Sequence, residues 1–312
     1  MKILVTGGAG FIGRWVVKKL LEDDHRVWVL DNLVNGSEAN LKEFNKYDDN
    51  LTFIRGDIRD IPLLNSLFEI KFDICYHLAA SINVQDSIDR PALTFDNDTV
   101  GTFNILEQCR KFNVKLVFMS TCMVYDRAFD DKGISEDHPV KPASPYAGSK
   151  IAAENMVLSY WYAYGLPVVI VRPFNTYGPY QKSSGEGGVV AIFIKNILEG
   201  KQINIYGDGT QTRDLMYAED CAEFVTKAGY MSSVNGQIVN AGLGKDININ
   251  DLALLIAKNK DMINHVPHIH PQSEISRLLC NCSKAWELLG WKSRTSLELG
   301  IQKTTEWIKP IK

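Results

Sequence analysis

The chain has 312 residues, of which 45% are hydrophobic and 23% charged, and its formal net charge is −3. This composition is ordinary for a globular protein, and the length is sufficient for a large core of one to two domains. No basic run and no long apolar segment stands out, which argues against nucleic acid and membrane as partners. The six cysteines form no Cys-x-x-Cys pair and no signal peptide is evident. We therefore predict reduced thiols and a cytoplasmic location.

Short apolar runs alternate with helical patterns along the first half of the chain. Each run is rich in Val and Ile and lacks polar alternation, which predicts strands buried on both faces of a parallel sheet. The alternation with helices predicts a doubly wound α/β sheet. The predicted strands are 3–5, 27–30, 51–54, 74–78, 116–119 and 168–171, and the predicted helices between them include 11–22, 91–112 and 146–164.

The regular alternation of strand and helix patterns ends after residue 174, and Gly, Ser and turn patterns cluster at 178–188 and 207–210. Helices are predicted at 189–199, 220–230 and 249–257, and a further strand at 237–241. We therefore predict that residues 1–174 form the sheet domain. Residues 175–312 are predicted to form mostly a smaller mixed lobe, interleaved with the first because the strand near 237–241 returns to its sheet.

Gly7, Gly10 and Gly13 follow the first predicted strand and open the first helix in T-G-G-A-G-F-I-G. Glycine permits the tight turn and lets backbone N–H groups approach a pyrophosphate, which the helix N-terminus also attracts. Asp31 ends the second strand at the spacing expected of a ribose-binding acid. A carboxylate there accepts hydrogen bonds from both ribose hydroxyls and repels a 2′-phosphate, which favours NAD over NADP. A glycine-rich turn without a ligand is the alternative.

Tyr146 and Lys150 lie four residues apart in S-P-Y-A-G-S-K and share one face of a predicted helix. A neighbouring ammonium favours the phenolate, so we expect the pKa of Tyr146 to fall below its usual value of about 10. Such a phenol is a usable base at neutral pH. Without further context, a Tyr and a Lys at this spacing would be a solvated helix face.

Seven motifs in order along the chain resemble the extended short-chain dehydrogenase/reductase family, the NAD-dependent sugar-nucleotide epimerases and dehydratases. They are T-G-G-A-G-F-I-G, G-D-I-R-D (56–60), H-L-A-A (77–80), S-T-x-x-V-Y (120–125), Y-x-x-x-K, R-P-F-N-x-Y-G-P (172–179) and G-D-G-x-Q-x-R-D (207–214). The resemblance covers nearly the whole chain. It implies a Rossmann-type fold, bound NAD, a UDP-sugar as substrate and a homodimer.

The resemblance also implies a role for each matching residue. Thr121 would bond the sugar hydroxyl and the phenol, Tyr146 would take the proton of the sugar 4-hydroxyl, and Lys150 would bind the nicotinamide ribose. Asn175 and Arg213 would lie at the diphosphate, where Arg can bond bidentately. The implied cofactor residues are Gly7, Gly10, Phe11, Ile12, Gly13, Asp31, Asn32, Gly36, Asp57, Ile58, Leu78, Ala79, Ala80, Tyr146, Lys150 and Pro173. The implied substrate residues are Asn175, Gly188, Val189, Tyr206, Gln211, Arg213 and Arg277.

Three positions depart from the family or invite another interpretation. The family often carries an Arg where this chain has the residues 271–274, so Arg277 or His270 is expected to substitute for it. Asp98 stands where Asn is usual. His265, His268 and His270 could bind a metal, but no nearby Cys or acid completes a site, so no metal is predicted and a polar strand edge is the simpler interpretation.

The reaction outcome depends on the residues that follow Thr121. Once C4 is a ketone, the sugar can take hydride back on its other face, or lose water to give a 4-keto-6-deoxy sugar or a 5,6-ene. Ordinary 4,6-dehydratases resemble Thr-Asp-Glu at this point, whereas this chain has Cys122 and Met123. Met cannot carry a proton, which weakens the 4,6-dehydratase interpretation, and a small residue after Thr is typical of a 4-epimerase.

A further resemblance favours the UDP-N-acetylglucosamine 5,6-dehydratases, which carry a Cys-Met pair at this place and make an exo-glycal. In that interpretation Cys122 carries the proton and Glu186 is a reserve acid; small-residue packing is the alternative role for Cys122. We therefore predict a 5,6-dehydratase acting on UDP-GlcNAc, with a UDP-sugar 4-epimerase second, and a 4,6-dehydratase or a non-catalytic NAD-sensing protein as further alternatives.

The resemblance places a dimer interface on the helices matching 91–112 and 146–164. Four apolar residues of the second helix would suit that face, although burial within the monomer is the alternative. They are Met156, Val157, Tyr160 and Trp161.

Overall fold

The structure, a computed structural model, describes residues 1–47, 49–183, 188–268 and 271–309. Within these residues the central sheet has seven strands, all parallel, in the order β10-β6-β5-β4-β1-β2-β3. Its strands are β1 (Lys2–Thr6), β2 (Arg26–Asp31), β3 (Leu51–Arg55), β4 (Ile74–His77), β5 (Lys115–Met119), β6 (Val168–Pro173) and β10 (Gln237–Ala241). The predicted doubly wound α/β fold of the Rossmann type is confirmed.

Helices cover both faces of this sheet. Ile3 and Val5 of β1 pack in one apolar cluster with the helices α1 (Phe11–Glu22) and α8 (Ala218–Tyr230). Leu4, between them, belongs to a second cluster on the opposite face, with α2 (Ile61–Phe68), α5 (Gly101–Phe112) and α6 (Pro145–Tyr164). Because successive side chains of a strand point to opposite faces, both faces need apolar residues, which explains the unbroken apolar runs.

The predicted helix 91–112 is one continuous helical segment with an irregular centre. It consists of α4 (Pro91–Phe95), a π-helical turn (Asp96–Val100) and α5, and it follows the short helix α3 (Val84–Asp89). A π-helical turn inserts an extra residue into the helix and is common at functional sites. Here it packs against α6.

The described part of the predicted smaller lobe contains two further sheets. β9 (Thr212–Tyr217) pairs with β7 (Asn175–Tyr177), with β11 (Asp246–Asn248) and with β13 (Arg277–Leu278), whereas β8 (Ile203–Tyr206) pairs with β12 (Ile263–Val266). The helices α7 (Val189–Leu198), α9 (Ile249–Ala257) and α11 (Leu297–Ile308) supply apolar residues to the core of this lobe. The remaining helix is α10 (Ser283–Leu289). β10 lies beside β6, so the chain returns from this lobe to the central sheet.

The predicted dimer face on α6 needs a correction. Val157 is fully buried and Tyr160 is 6% exposed, because both pack into the monomer beneath the sheet. Apolar side chains that do face outward on these helices include Phe95 and Tyr162, which are 51% and 77% exposed. Homodimer formation stays a prediction, as does the cytoplasmic location.

Two simpler predictions can be compared with the structure directly. All six cysteines are free thiols, as expected of a chain without a disulfide framework. In the part of the chain that the structure describes, no helix combines the length and the apolar character needed to span a bilayer.

Candidate active site

The glycine turn lies between β1 and α1 and is closely packed. Gly7 has a φ of +72°, and a Cβ there would meet the backbone nitrogen of Ala79 at 2.7 Å. A Cβ on Gly13 would meet the carbonyl oxygen of Gly7 at 2.1 Å. A Cβ on Gly10 would have only one described neighbour within 4 Å, the same Gly7 oxygen at 3.1 Å, so this part of the turn is open on its other sides. The turn therefore forms a cradle that fits a pyrophosphate at the helix N-terminus.

Asp31 ties the end of β2 to this turn. It is 7% exposed, and its carboxylate accepts hydrogen bonds from the N–H groups of Ala9 (3.0 Å) and Leu33 (2.8 Å). Burial raises the pKa of Asp31, and the two hydrogen bonds oppose that effect. The carboxylate retains further lone pairs, so its placement fits the predicted ribose contact. Gly36 lies against it, since a Cβ there would be 3.1 Å from Asp31 Oδ2.

The other predicted cofactor residues follow the neighbouring strands. Asn32 donates a hydrogen bond to Asp57 (3.0 Å), and Arg59, the largest cause, lowers the pKa of Asp57 well below its usual range. Ile58 is buried, and the N–H of Leu78 bonds to the carbonyl of Thr6 at 3.0 Å. Phe11, Ile12, Ala79 and Ala80 are half-buried, and Pro173 ends β6. The predicted cofactor residues thus follow the carboxyl ends of parallel strands, where ligands of such sheets bind.

Tyr146 and Lys150 lie on the first turns of α6, 8% and 3% exposed. Ser144 caps this helix by accepting a hydrogen bond from the N–H of Ala147 (3.2 Å), and Pro145 occupies its first turn. Thr121, two residues after β5, lies close enough to the phenol of Tyr146 to lower its pKa. The structure therefore brings together the three residues that the sequence singled out for the C4 chemistry.

The predicted acidification of Tyr146 is not found in the protein alone. Burial raises the pKa of Tyr146 well above its usual value, the negative charge of Asp98 raises it further, and the nearby Thr121 side chain lowers it only in part. Burial also lowers the pKa of Lys150, whose ammonium lies 4.5 Å from the centroid of the Phe118 ring. The expectation neglected burial, which disfavours the charged form of both groups.

Cys122 and Met123 start a short 3₁₀ turn that packs into an apolar cluster with Phe174. Cys122 is 2% exposed, and burial raises the pKa of its thiol to about 12. Met123 is half-buried, and its N–H donates to the Thr121 hydroxyl at 3.1 Å. The surroundings of Cys122 are those of a small core residue rather than of a proton carrier.

Two predicted diphosphate residues lie on neighbouring strands. Asn175 begins β7 and pairs in register with Leu215, two residues after Arg213 on β9. The side-chain oxygen of Asn175 is buried and has no hydrogen-bond partner among the described residues. The charge of Arg213 lowers the pKa of the Cys122 thiol, so the two side chains lie within electrostatic range of each other.

Arg213 already holds several partners within the chain. Its guanidinium pairs with Glu274 and donates to the carbonyl of Ile275 at 2.9 Å. Glu274 also accepts a hydrogen bond from His268 at 2.8 Å. Glu274 thus lies in the segment where the family often has a second phosphate-binding Arg. A substrate diphosphate would compete with Glu274 for the guanidinium of Arg213.

The other predicted substrate residues fall into two groups. Tyr206 packs edge-on against His268, and Gln211 donates to the Tyr206 carbonyl at 3.2 Å, so both adjoin the Arg213 pair. Gly188 precedes Val189 at the start of α7, beside Gln181.

Arg277 bonds instead to Asp246 (3.0 Å) and Asp131 (2.7 Å). The structure therefore gives Arg277 two carboxylate partners of its own and offers no support for its suggested role as the missing phosphate-binding Arg.

The histidine segment differs from the expected strand edge. His265 lies on β12 and bonds to Asn250 at 2.9 Å, but His268 lies beyond the end of that strand, because β12 stops at Val266. Among residues 1–47, 49–183, 188–268 and 271–309, no three His, Cys, Asp or Glu side chains are grouped to hold a metal ion. Glu186 and His270 lie outside the described residues.

Sequence reasoning missed a buried ion pair behind the catalytic helix. Glu154 and Arg172 are 2% and 2% exposed and pair through two hydrogen bonds, of which Arg172 Nε to Glu154 Oε1 is 2.8 Å. The guanidinium also lies 4.6 Å from the centroid of the Tyr125 ring. The available signal was spacing, since Glu154 follows Lys150 by one helical turn.

Comparison with known proteins agrees with this geometry. The model of the NAD dependent epimerase/dehydratase family matches residues 3–242, and the chain belongs to that family. NAD is its cofactor, and its relatives include nucleotide-sugar epimerases, dehydratases and a decarboxylase.

Three similar proteins illustrate the range of the match. A putative UDP-glucose 4-epimerase of Methanocaldococcus jannaschii is 37% identical over 98% of each chain. The X-ray structure of Pal from Bacillus thuringiensis is 66% identical, with a TM-score of 0.97 over 99% of each chain. The UDP-glucose 4-epimerase of Thermotoga maritima, solved with UDP-glucose, is 32% identical, with a TM-score of 0.91 over 98% of each chain.

Proposed function

We propose that this chain oxidises C4 of a UDP-sugar and returns the hydride to the sugar without releasing water, so that a UDP-hexose is interconverted at C4. The observation that carries the proposal is the composition of the site. Tyr146, Lys150 and Thr121 supply the proton chemistry at C4, whereas the turn after Thr121 contributes a buried thiol and a thioether in place of carboxylates. The similarity to proteins named UDP-glucose 4-epimerase supports a UDP-sugar substrate.

Tyr146 is the group placed to exchange the proton of the sugar 4-hydroxyl. NAD, when bound, accepts a hydride from C4 and donates one back. The Tyr146 phenolate accepts the hydroxyl proton during oxidation and the phenol returns it during reduction, and the nearby Thr121 side chain favours the phenolate. Lys150 contributes a positive charge on the same helix face, which favours the phenolate. Since burial keeps the phenol protonated in the protein alone, we expect proton removal only when substrate and cofactor are both in place.

Loss of water from the 4-keto sugar would need two more groups. A base must take the C5 proton and an acid must protonate the departing 6-hydroxyl. Met123 carries no proton, and Cys122 is a thiol packed in an apolar cluster rather than a carboxylic acid. The 5,6-dehydratase and the 4,6-dehydratase interpretations therefore both lack a carboxylate pair in this turn, and C4 interconversion is the better supported proposal.

The diphosphate is proposed to bind between β7 and β9. Asn175 presents a buried side-chain oxygen without a described partner, and Arg213 supplies the guanidinium. The diphosphate would replace Glu274 as the partner of Arg213, or bind Arg213 beside it, because a diphosphate accepts the same bidentate hydrogen bonds as a carboxylate.

The test is NMR of the holoprotein incubated with UDP-glucose and with UDP-GlcNAc. A galacto-configured product supports the proposal. Vinyl protons at C6 would indicate the exo-glycal and a C6 methyl doublet the 4-keto-6-deoxy sugar, and either product overturns it. No turnover of any UDP-sugar while NAD stays bound would favour the sensing protein and also overturns it.

A matched pair of variants on one helix tests the role of Tyr146. Tyr146→Phe should lower kcat by about 10² to 10⁴ while the protein keeps its NAD, because the proton carrier is lost and the fold is not. Tyr162→Phe, at a position 77% exposed on the same helix, should leave kcat unchanged. Equal activity of the two variants would contradict the assignment.

A further inference from the structure

Cys280 and Cys282 are a pair of neighbouring thiols that the C4 chemistry above does not use. They flank Asn281 in the segment between β13 and α10. Their sulfur atoms lie 3.3 Å apart, and the Cys282 sulfur also lies 3.5 Å from the carbonyl oxygen of Gly242. A disulfide bond holds two sulfurs at about 2.05 Å. A closing movement of about 1 Å would therefore bring these two sulfurs to bonding distance.

The two thiols differ in their access to solvent. Cys280 is 3% exposed, whereas Cys282 is half-buried. A small molecule in solution can therefore reach Cys282 first. Within the four described ranges, no three His, Cys, Asp or Glu side chains are grouped to hold a metal ion, so this pair lacks the further ligands that a structural zinc would need.

The segment that carries the pair also supports the strand of Arg213. Leu278 on β13 pairs in register with Arg213 on β9. The N–H of Cys280 donates a hydrogen bond of 3.1 Å to the carboxylate of Asp214, the next residue on β9. This carboxylate is fully buried and accepts two more N–H groups, both from the turn after β10. A shift of the Cys280 backbone would therefore disturb the residue beside Arg213.

We propose that Cys280 and Cys282 are a reversible oxidation site, which small disulfides of the glutathione type convert from two thiols to an intramolecular disulfide. Its closure moves the Cys280 N–H relative to Asp214 and thereby weakens the binding of a diphosphate at Arg213. The disulfide itself does not depend on the proposed function, whereas its effect on the diphosphate rests on that function.

The oxidation proceeds by two exchange steps. The Cys282 thiolate attacks one sulfur of the small disulfide, which forms a mixed disulfide and releases one small thiol. The Cys280 thiolate then attacks the Cys282 sulfur and releases the second small thiol. Two electrons pass from the cysteines to the small disulfide, and the two cysteine protons end on the released thiols. Burial is the largest cause that raises the pKa of the Cys280 thiol, so we expect the second step to be the slower one.

The first test identifies the bond by peptide mass spectrometry. Reduced holoprotein is incubated with oxidised glutathione, its remaining thiols are alkylated in denaturant, and trypsin then releases both cysteines in the peptide 278–284, between Arg277 and Lys284. That peptide should lose two hydrogens and take up no alkylating reagent, and dithiothreitol should restore both thiols. Cys75 and Cys109, which are both fully buried, should be alkylated as in untreated protein.

Three results of this measurement would overturn the inference. They are full alkylation of the peptide 278–284, a lasting glutathione adduct on it, and a disulfide from it to another peptide. None of these readouts depends on turnover, so the measurement is independent of the proposed function.

The second test measures UDP binding to the holoprotein by calorimetry. The oxidised protein should bind UDP about threefold or more weakly, with unchanged NAD content, because a small displacement of a positioned side chain weakens its contacts. Reduced Cys282→Ser should bind UDP as wild type does and should not respond to oxidised glutathione. Cys75→Ala is the matched control and should respond as wild type does.

Equal UDP affinity of the oxidised and reduced wild type, or a wild-type response in Cys282→Ser, would overturn the coupling to the diphosphate site. If the reduced holoprotein bound no UDP, the proposed diphosphate site would fail and the coupling with it. The disulfide would still be decided by the peptide measurement.

Discussion

His77 ends β4 inside the protein, and its protonation should control part of the pH dependence of stability. The ring is fully buried, with Nδ1 bonded to the Thr6 hydroxyl at 2.6 Å and Nε2 to the Thr102 hydroxyl at 2.9 Å. Burial, and then the charge of Lys150, lowers the pKa of His77 to about 3. The folded protein therefore keeps this ring neutral at every pH of ordinary use.

The sign of the effect follows from proton binding in the two states. In the unfolded chain His77 takes up a proton below about pH 6.5, whereas in the folded protein it does so only near pH 3. Between these values the unfolded state binds more protons, so stability falls as the pH falls through this window. At about pH 5 this one residue should cost about 2 kcal/mol of folding free energy compared with neutral pH.

Urea unfolding of wild type and His77→Gln, at about pH 7.5 and about pH 5, measures this contribution. The variant should be less stable at both values because the pair of hydroxyl contacts is disturbed. Its loss of free energy between the two pH values should be smaller than that of wild type by about 2 kcal/mol. His265→Gln, at an exposed position, should keep the wild-type pH dependence. If His77→Gln lost as much free energy between the two pH values as wild type, the reasoning would be refuted.

Three further predictions concern the cofactor turn and the buried ion pair. Gly13→Ala should lower the NAD content of the purified protein about tenfold or more, because the added Cβ would lie 2.1 Å from the Gly7 carbonyl oxygen; full occupancy would contradict it. Asp31→Ser should reduce the preference of the cofactor-free protein for binding NAD over NADP about tenfold. An unchanged preference would contradict the predicted contact between Asp31 and the ribose. Glu154→Leu should cost about 3–5 kcal/mol in urea unfolding, and adding Arg172→Met should recover most of it, whereas additive losses would argue against the pair.

The elements of the central sheet were readable in the sequence because each has a strong local pattern. The strand 237–241 and the helices 11–22 and 249–257 match the observed bounds. Apart from the segment 91–112, the other predicted elements differ from the observed ones by one or two residues at one or both ends. The break of the segment 91–112 at the π-helical turn was not predicted, because the sequence pattern is that of a continuous helix. That turn is stabilised by contacts with α6, which are distant in sequence.

The sequence predicted which residues form the candidate site, but it did not predict their burial or the charges that surround them. Spacing placed Tyr146 and Lys150 on one helix face, and the glycine turn and Asp31 followed from their positions after strands. Spacing could not show that both catalytic groups are buried, so the expected direction of the Tyr146 pKa was wrong for the protein alone. Nor could it show that Arg213 already holds Glu274.

The sequence by itself determined the parallel sheet, the cofactor turn and the chemical identity of the groups at C4, because each depends on residue type and short-range spacing. Only the tertiary structure decided which charges those groups meet. Asp98 and His77 lie on elements other than α6 and reach the Lys150 region only after the sheet and its helices have packed, whereas Glu154 follows Lys150 on the same helix. Burial and the distances between charges are properties of that packing, and they set whether each proton is held or released.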